Sequence, residues 1–243
     1  MAVPKADPFA QRRLLELATL DRSLSTVEHR TRTLPELAVI AAAEAELDTV
    51  AADKALADAE LGDLDRATRK LDAEVEQVRA RADRDAARLA AGSGTSRELE
   101  NLQHEIESLA RRQGVLEDEE LELMEQRETA EAAVARLASR VDEVTGGLTA
   151  ARTRRDDALA DLSVERDRLS AARAALVTGL PADLVTLYDR IHAGGRVAAG
   201  ELRGSRCEAC SMQLDNVELA RLRNAPVDDV LRCPECGAIL VRT

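Results

Sequence analysis

Between Pro35 and Pro181 the chain contains no proline, so nothing in that stretch fixes φ or removes an amide against a continuous helix. One segment there reads as a break, Gly92-Ser93-Gly94, and Thr95-Ser96-Arg97-Glu98 follows it with the T-x-x-E pattern of a capping box. The break divides the sequence into two nearly equal arms, about 9–91 and 96–178. Two long helices joined by a short turn predict a helical hairpin.

The second arm carries a heptad pattern. Counted in sevens from Leu99, one seam line holds an apolar residue at 8 of 12 positions, and its companion, counted from Leu102, at 10 of 11. A repeat sustained over so many heptads argues for a coiled coil. The first arm matches it with Ile40, Leu47, Leu61 and Val75 on one line and Val50, Leu64, Leu71 and Val78 on the other. Pro35 interrupts that arm and either kinks the helix or starts a new one at its first turn. The helical spacing of Leu14, Leu17, Leu24 and Val27 favours a kink over a domain boundary, while Gly146-Gly147 reads as a soft spot that the helix passes through. With the turn near 93–94, Glu120 is expected opposite Arg66, Arg69 and Lys70, and Arg127 opposite Asp58, Glu60 and Asp63. Such seam charges would set register.

Composition supports this. Phe9 and Tyr188 are the only aromatics and there is no Trp, whereas charged residues reach 33%. That balance disfavours an α/β enzyme or a β-sandwich and removes the aromatic platforms on which single-stranded nucleic acid stacks. The seven arginines from Arg196 to Thr243 are matched by seven acidic residues, so the net charge of −12 belongs to the preceding residues. An acidic body repels phosphate, which leaves the C-terminal region as the place for any nucleic-acid contact. No apolar run is long enough to span a membrane, and Met1 to Arg13 lacks a signal-peptide core. The expectation is a cytoplasmic protein with no membrane contact.

Thr178-Gly179-Leu180-Pro181 stops the second arm, and Leu184, Leu187, Tyr188 and Ile191 mark a short amphipathic helix. The expected organisation is a helical hairpin over 1–180, a connecting helix and linker over 181–195, and a third region over 196–243.

All four cysteines fall in that third region, as Cys207-Glu208-Ala209-Cys210 and Cys233-Pro234-Glu235-Cys236. A two-residue spacer lets each pair chelate from one tight turn, and four thiolates close a tetrahedral shell around one structural Zn2+. A catalytic zinc would keep an open position, and disulfides are disfavoured in a chain with no export signal. Short strands are expected at Met212–Leu214, Val227–Arg232 and Ala238–Val241, with a helical turn capped by Asp215 running through Leu219 and Leu222. A unit of about 48 residues is small for an independent core. The expectation is that metal binding folds it separately from the hairpin.

These motifs together resemble a bacterial family that joins a coiled-coil hairpin to a C-terminal C4-type zinc ribbon, the FlgZ-like proteins. The resemblance rests on Glu98-x3-Leu102-x2-Glu105-Ile106 after the turn. It rests equally on Cys207-x2-Cys210-x3-Leu214 and on Cys233-Pro234-x-Cys236-Gly237-x-Ile239-Leu240. It covers almost the whole chain and departs at Leu99 and at Val241-Arg242-Thr243, where relatives often carry an aromatic. It implies a non-enzymatic adaptor that touches transcription or secretion machinery, or RNA.

Around the cysteines, Arg203, Arg206, Arg221, Arg223 and Arg232 are candidates for nucleic-acid or partner contacts. The competing reading is a solvated surface neutralised by Glu201, Glu208, Asp215 and Glu218. Glu117-Asp118-Glu119-Glu120 reads as an exposed helix face or as a dock for a basic partner, and His29, His104 and His192 read as solvent-facing. No catalytic triad or phosphate-cradling loop appears. Two functional readings stand: a zinc-ribbon adaptor that binds nucleic acid or transcription- and translation-associated proteins, and a protein-only scaffold whose ribbon is a docking knob. A monomeric hairpin is favoured over a dimer that exchanges arms.

Overall fold

The computed structural model describes residues 5–242; Pro4, with the first residues of the N-terminal stretch, and Thr243 lie outside the described residues. The elements run α1 (Pro8–Arg32), α2 (Pro35–Ala90), α3 (Ser96–Thr178), α4 (Ala182–His192), β1 (Ala199–Arg203), β2 (Arg206–Cys207), α5 (Asn216–Asn224), β3 (Leu231–Arg232) and β4 (Ile239–Val241). The protein is mainly α, a long helical hairpin with a small C-terminal sheet. It divides into two compact units, residues 38–152 and the residues before and after them.

In the 38–152 unit, α2 and α3 run antiparallel along the expected seam. Ile40 packs with Leu148 and Ala151, and Leu71 and Val75 pack with Leu116. Every buried apolar residue of α3, from Leu109 to Leu176, lies on one of the two heptad lines. Burial passes from the companion line to the first line around Val144 and Leu148, as expected where a nearly straight 3.6-residue helix drifts against a 3.5-residue repeat. Gly92 at φ +61° makes the turn. The capping box closes as Glu98 Oε2 accepts from the Thr95 amide at 2.7 Å and from the Thr95 hydroxyl at 2.9 Å. Gly146 and Gly147 stay within α3.

Charges bracket the seam. Arg81 meets Glu105 at 2.6 Å, Arg79 meets Glu117 at 3.3 Å, Arg152 meets Glu44 at 2.7 Å, and Arg140 pairs with Glu46. Arg127 is paired across the hairpin, but with Asp65 at 2.7 Å rather than with Asp58, Glu60 or Asp63. Glu120, expected opposite Arg66, Arg69 and Lys70, makes no ion pair among the described residues, and Arg66 pairs with Asp63 on its own helix. Half-exposed pairs of this kind contribute little to stability individually, so the apolar seam carries the hairpin.

The second unit begins with Asp7 capping α1 through the amides of Phe9 and Ala10, with Pro8 at the first helical position. Pro35 does not kink a continuous helix: α1 ends at Arg32 and α2 starts afresh at Pro35. The sheet has strand order β2-β1-β4-β3, with β1 and β4 parallel and the outer pairs antiparallel. Val230, Ile239 and Ala199 face a core built with Leu14 and Leu17 of α1, Leu176 and Leu180, and Leu184, Tyr188 and Ile191 of α4. Leu231, Leu240 and Leu202 face a second core with Cys207, Cys233, Leu219 and Leu222. The alternation is the two-residue period of a strand. The cysteine-bearing region thus has a core of its own on one face of its sheet, but the expectation that it is separate from the helices is corrected, since the other face completes the core of α1 and α4.

Two strand expectations also change. Met212–Leu214 is not a strand but offers a single bridge from Gln213 to Arg206, and Val227–Arg232 contracts to Leu231–Arg232. β1 and β2, the second of which ends on Cys207, had no clear signal in the sequence.

Candidate metal centre

Each cysteine pair sits in the same tight turn. Ser211 donates its amide to Cys207 O at 2.7 Å, and Gly237 donates to Cys233 O at 2.9 Å. The amide of each leading cysteine then donates onward, Cys207 to Met212 O at 3.0 Å and Cys233 to Ala238 O at 2.9 Å. The residue after each second cysteine is left-handed, Ser211 at φ +63° and Gly237 at φ +75°. Glycine takes that conformation without strain, whereas Ser211 carries a side chain there at some cost. Gly200 is required for a different reason: a Cβ there would lie 2.5 Å from the Ala209 amide, so β1 can approach the first turn only without one.

The two turns bring four sulfurs together. All four Sγ atoms lie within 4.8 Å of one another, with Cys207–Cys236 and Cys210–Cys233 each at 4.0 Å. A tetrahedron with 2.3 Å metal–sulfur bonds has edges of about 3.8 Å, so the donor set fits one zinc. Cys207 and Cys233 are buried, Cys210 and Cys236 half-buried. Burial pushes the Cys207 thiol up to about 12, and a cation must supply the energy to deprotonate it. Cys210 is lowered: partial burial opposes ionisation, but the Met212 amide and the neighbouring thiols outweigh it.

The candidate arginines surround these turns, yet each is already engaged. Arg206 Nε donates to Ser211 O at 2.9 Å and Arg232 Nε to Gly237 O at 2.9 Å, so the residue before each pair braces the left-handed residue after it. The sequence carries this as Arg-Cys-x-x-Cys twice, a signal the charge count alone obscures. Arg223 donates to Gly204 O, Arg203 pairs with Glu201, and Arg221 pairs with Glu218 at 2.9 Å. Arg242 was not singled out from sequence, yet it donates to Leu222 O, Ala225 O and Pro226 O and ties down the end of α5.

Sequence reasoning also missed a polar junction in the same unit. Asp21, 5% exposed, accepts from Tyr188 Oη at 2.7 Å and from Arg173 Nε at 2.6 Å, and Arg173 reaches on to Asp189 at 2.7 Å. His192 stacks on Tyr188 and is half-buried rather than solvent-facing. His29 and His104 are exposed. On α3, Glu117 accepts from Gln113 and Arg79, and Glu119 pairs with Arg112, so two residues of the 117–120 run are engaged within the hairpin.

This architecture defines a class: a coiled-coil hairpin protein with a C4-type zinc ribbon and one structural zinc. The CT398-like coiled coil hairpin domain matches residues 17–196, and the C4-type zinc ribbon domain matches residues 206–240. The chain belongs to the CT398-like coiled-coil hairpin family. It is 40% identical over 238 residues to an uncharacterized protein of Mycobacterium tuberculosis, covering 98% of this chain and 97% of the relative. An uncharacterized protein of Mycobacterium leprae is 30% identical over 224 residues, covering 92% and 96%. A solved Mycobacterium smegmatis structure superposes with a TM-score of 0.87 at 40% identity, over 98% of this chain and all 100% of the other. CT398 from Chlamydia trachomatis shares the fold, with a TM-score of 0.67 at 15% identity over 96% and 98%. No helix among the described residues is long and apolar enough to cross a membrane.

Proposed function

We propose that the protein is a non-enzymatic adaptor whose ribbon is a rigid docking head for a protein partner, with Cys207, Cys210, Cys233 and Cys236 holding one structural zinc. The observation that carries this reading is the use of the arginines. Arg206, Arg223 and Arg232 donate to carbonyls of the ribbon itself, and Arg203 and Arg221 are paired with glutamates. A phosphate-binding surface needs guanidinium groups free to bond outward; here the five arginines are exposed, but each already commits donors to its own chain, Arg206, Arg223 and Arg232 to loop and turn carbonyls. Met212 and Val217 meanwhile stand 53% and 80% exposed on the ribbon, apolar contacts that a protein partner can cover. Four thiolates with no open coordination position leave the metal no substrate to polarise. The experiment is crosslinking capture with the full chain, comparing wild type with Met212→Asp/Val217→Asp; a partner protein lost in the double variant supports the reading.

A second reading, nucleic-acid contact through the ribbon, is favoured by the exposure of Arg221, whose side chain is 60% exposed. It is tested by a mobility shift at rising salt. Arg221→Ala/Arg223→Ala should weaken binding more than Arg69→Ala/Arg84→Ala on α2, exposed arginines outside the seam pairs. Arg79 and Arg81 are unsuitable as that control, because both bridge α2 to α3. Binding that both doubles weaken equally would be non-specific electrostatics.

A further inference from the structure

We infer that the metal centre controls the order of the first half of α1 and of α4, so that zinc binding and the packing of these helices form one linked equilibrium. This rests on the reading that the four cysteines hold zinc, and goes beyond it by placing the consequence outside the ribbon.

The strands of the sheet are only two to five residues long. β1 and β4 are paired in parallel over Ala199↔Ile239, Gly200↔Leu240 and Glu201↔Val241, and that contact closes a loop of about 40 residues. Ordering each residue costs roughly 1–2 kcal/mol, and loop closure adds to it. A pairing of this length does not offset such a cost alone. The four sulfurs pin the same strands: Cys207 is the last residue of β2, Cys233 follows β3 directly, and β4 begins three residues after Cys236. A metal that closes this loop therefore holds the sheet together.

The opposite face of that sheet is the lid of the α1–α4 core, through Ala199, Val230 and Ile239 against Leu14, Leu17 and Tyr188. A second tie runs from the loop before β3. Ala6 donates its amide to Asp228 O at 2.8 Å, Gln11 Nε2 donates to Val227 O at 3.2 Å and to Ala6 O at 2.8 Å, and Lys5 pairs with Asp228 at 2.9 Å. Both ties reach only the first half of α1. Its second half is held differently, with Val27 packed on Leu162 and Leu169 of α3 and no ribbon residue in that cluster. Loss of the ion thus removes the sheet's side of the cover from Ala10, Leu14 and Leu17, which keep only their contacts with Leu176, Leu180 and α4, and leaves Val27 in place.

Hydrogen–deuterium exchange on the full chain, with zinc bound and after its removal by EDTA, tests this. Amides of residues 10–21 and of α4 should exchange at least about tenfold faster without zinc, while residues 27–32 and α3 from 100 to 150 keep their rates. Tyr188 is the only tyrosine and no aromatic lies in 196–243, so its near-UV dichroism should fall with the same zinc dependence. Coupling is reciprocal. Leu17→Ala, remote from every cysteine, should therefore weaken zinc affinity about tenfold in competition with a chromophoric chelator, and Leu116→Ala should not. If zinc leaves while residues 10–21 and Tyr188 keep their signals, or if Leu17→Ala binds zinc as wild type does, the inference is overturned and the metal site stands. Protein purified without chelator that contains no zinc overturns both.

Discussion

The 38–152 unit and the unit that carries the cysteines solve the same problem by opposite means. The first spreads its stability along a seam, in which Leu116 or Ile40 is one contact among many and the flanking ion pairs are half-exposed. The second concentrates it in a few groups: four sulfurs, a sheet of two- to five-residue strands, and a buried aspartate shared by an arginine and a tyrosine. A repetitive seam tolerates local loss because each turn of helix is held by its own neighbours. The ribbon within the second unit, whose strands are too short to persist alone, depends on the groups that close its loops.

Breaking one sulfur should show the contrast most strongly. Cys233→Ser is expected to abolish bound zinc and the protection of β1, β3 and β4, because structural zinc supplies on the order of 10 kcal/mol of apparent folding free energy. Metal analysis together with hydrogen exchange reads this out, and the 38–152 seam should retain its protection. Asp21→Ala comes next. It strips the partner from Arg173 and from the buried Tyr188 hydroxyl. Removing one member of a buried charge pair costs about 3 kcal/mol, the low end of the range, since Arg173 is partly exposed. Denaturant unfolding followed by Tyr188 dichroism measures it, and Tyr188→Phe should lose less.

In the seam, Leu116→Ala removes a fully buried side chain but opens a site that neighbouring helix can partly collapse around. The expected loss is about 2 kcal/mol, seen as faster exchange near residues 71–75 with zinc affinity unchanged. A loss as large as that of Asp21→Ala would blur the distinction between the two units.

The smallest effect concerns the turn. Glu98 is held below the usual carboxylate value of 4.5, first by the Thr95 amide it accepts and then by the Thr95 hydroxyl. A lowered folded-state value means that the contribution is present above 4.5 and is lost as pH falls through the folded value. Thermal melts between roughly pH 6 and pH 2 should therefore show wild type and Glu98→Gln converging as acid is added. A gap that stays constant over that range would remove the capping box as its cause.

Much of the hairpin was legible because its signals are local and repeated. A proline-free span, heptad lines, a glycine break and a T-x-x-E cap each follow from backbone geometry over a few residues, and α2, the turn and α3 appear where those signals stand. The cysteine spacing was legible for the same reason, since a C-x-x-C turn is complete within itself. At Pro35 the helical spacing of Leu14, Leu17, Leu24 and Val27 favours a kink over a fresh start, but both satisfy it, and the structure takes the fresh start.

What the sequence by itself determined was therefore the set of parts: two long helices, their seam and a four-thiolate site. Tertiary structure alone decided how the parts near the cysteines share their interior. The strand pairing of Ala199 with Ile239 joins residues far apart in sequence through elements too short to announce themselves. The union of Asp21, Arg173 and Tyr188 comes from three different helices. The arginines likewise could be counted in the sequence, but whether a guanidinium faces solvent or a carbonyl five residues ahead depends on a turn that exists only once the chain is folded. Periodicity records which residues want a partner of a given kind, while the identity of a distant partner is set by the three-dimensional closure of the chain.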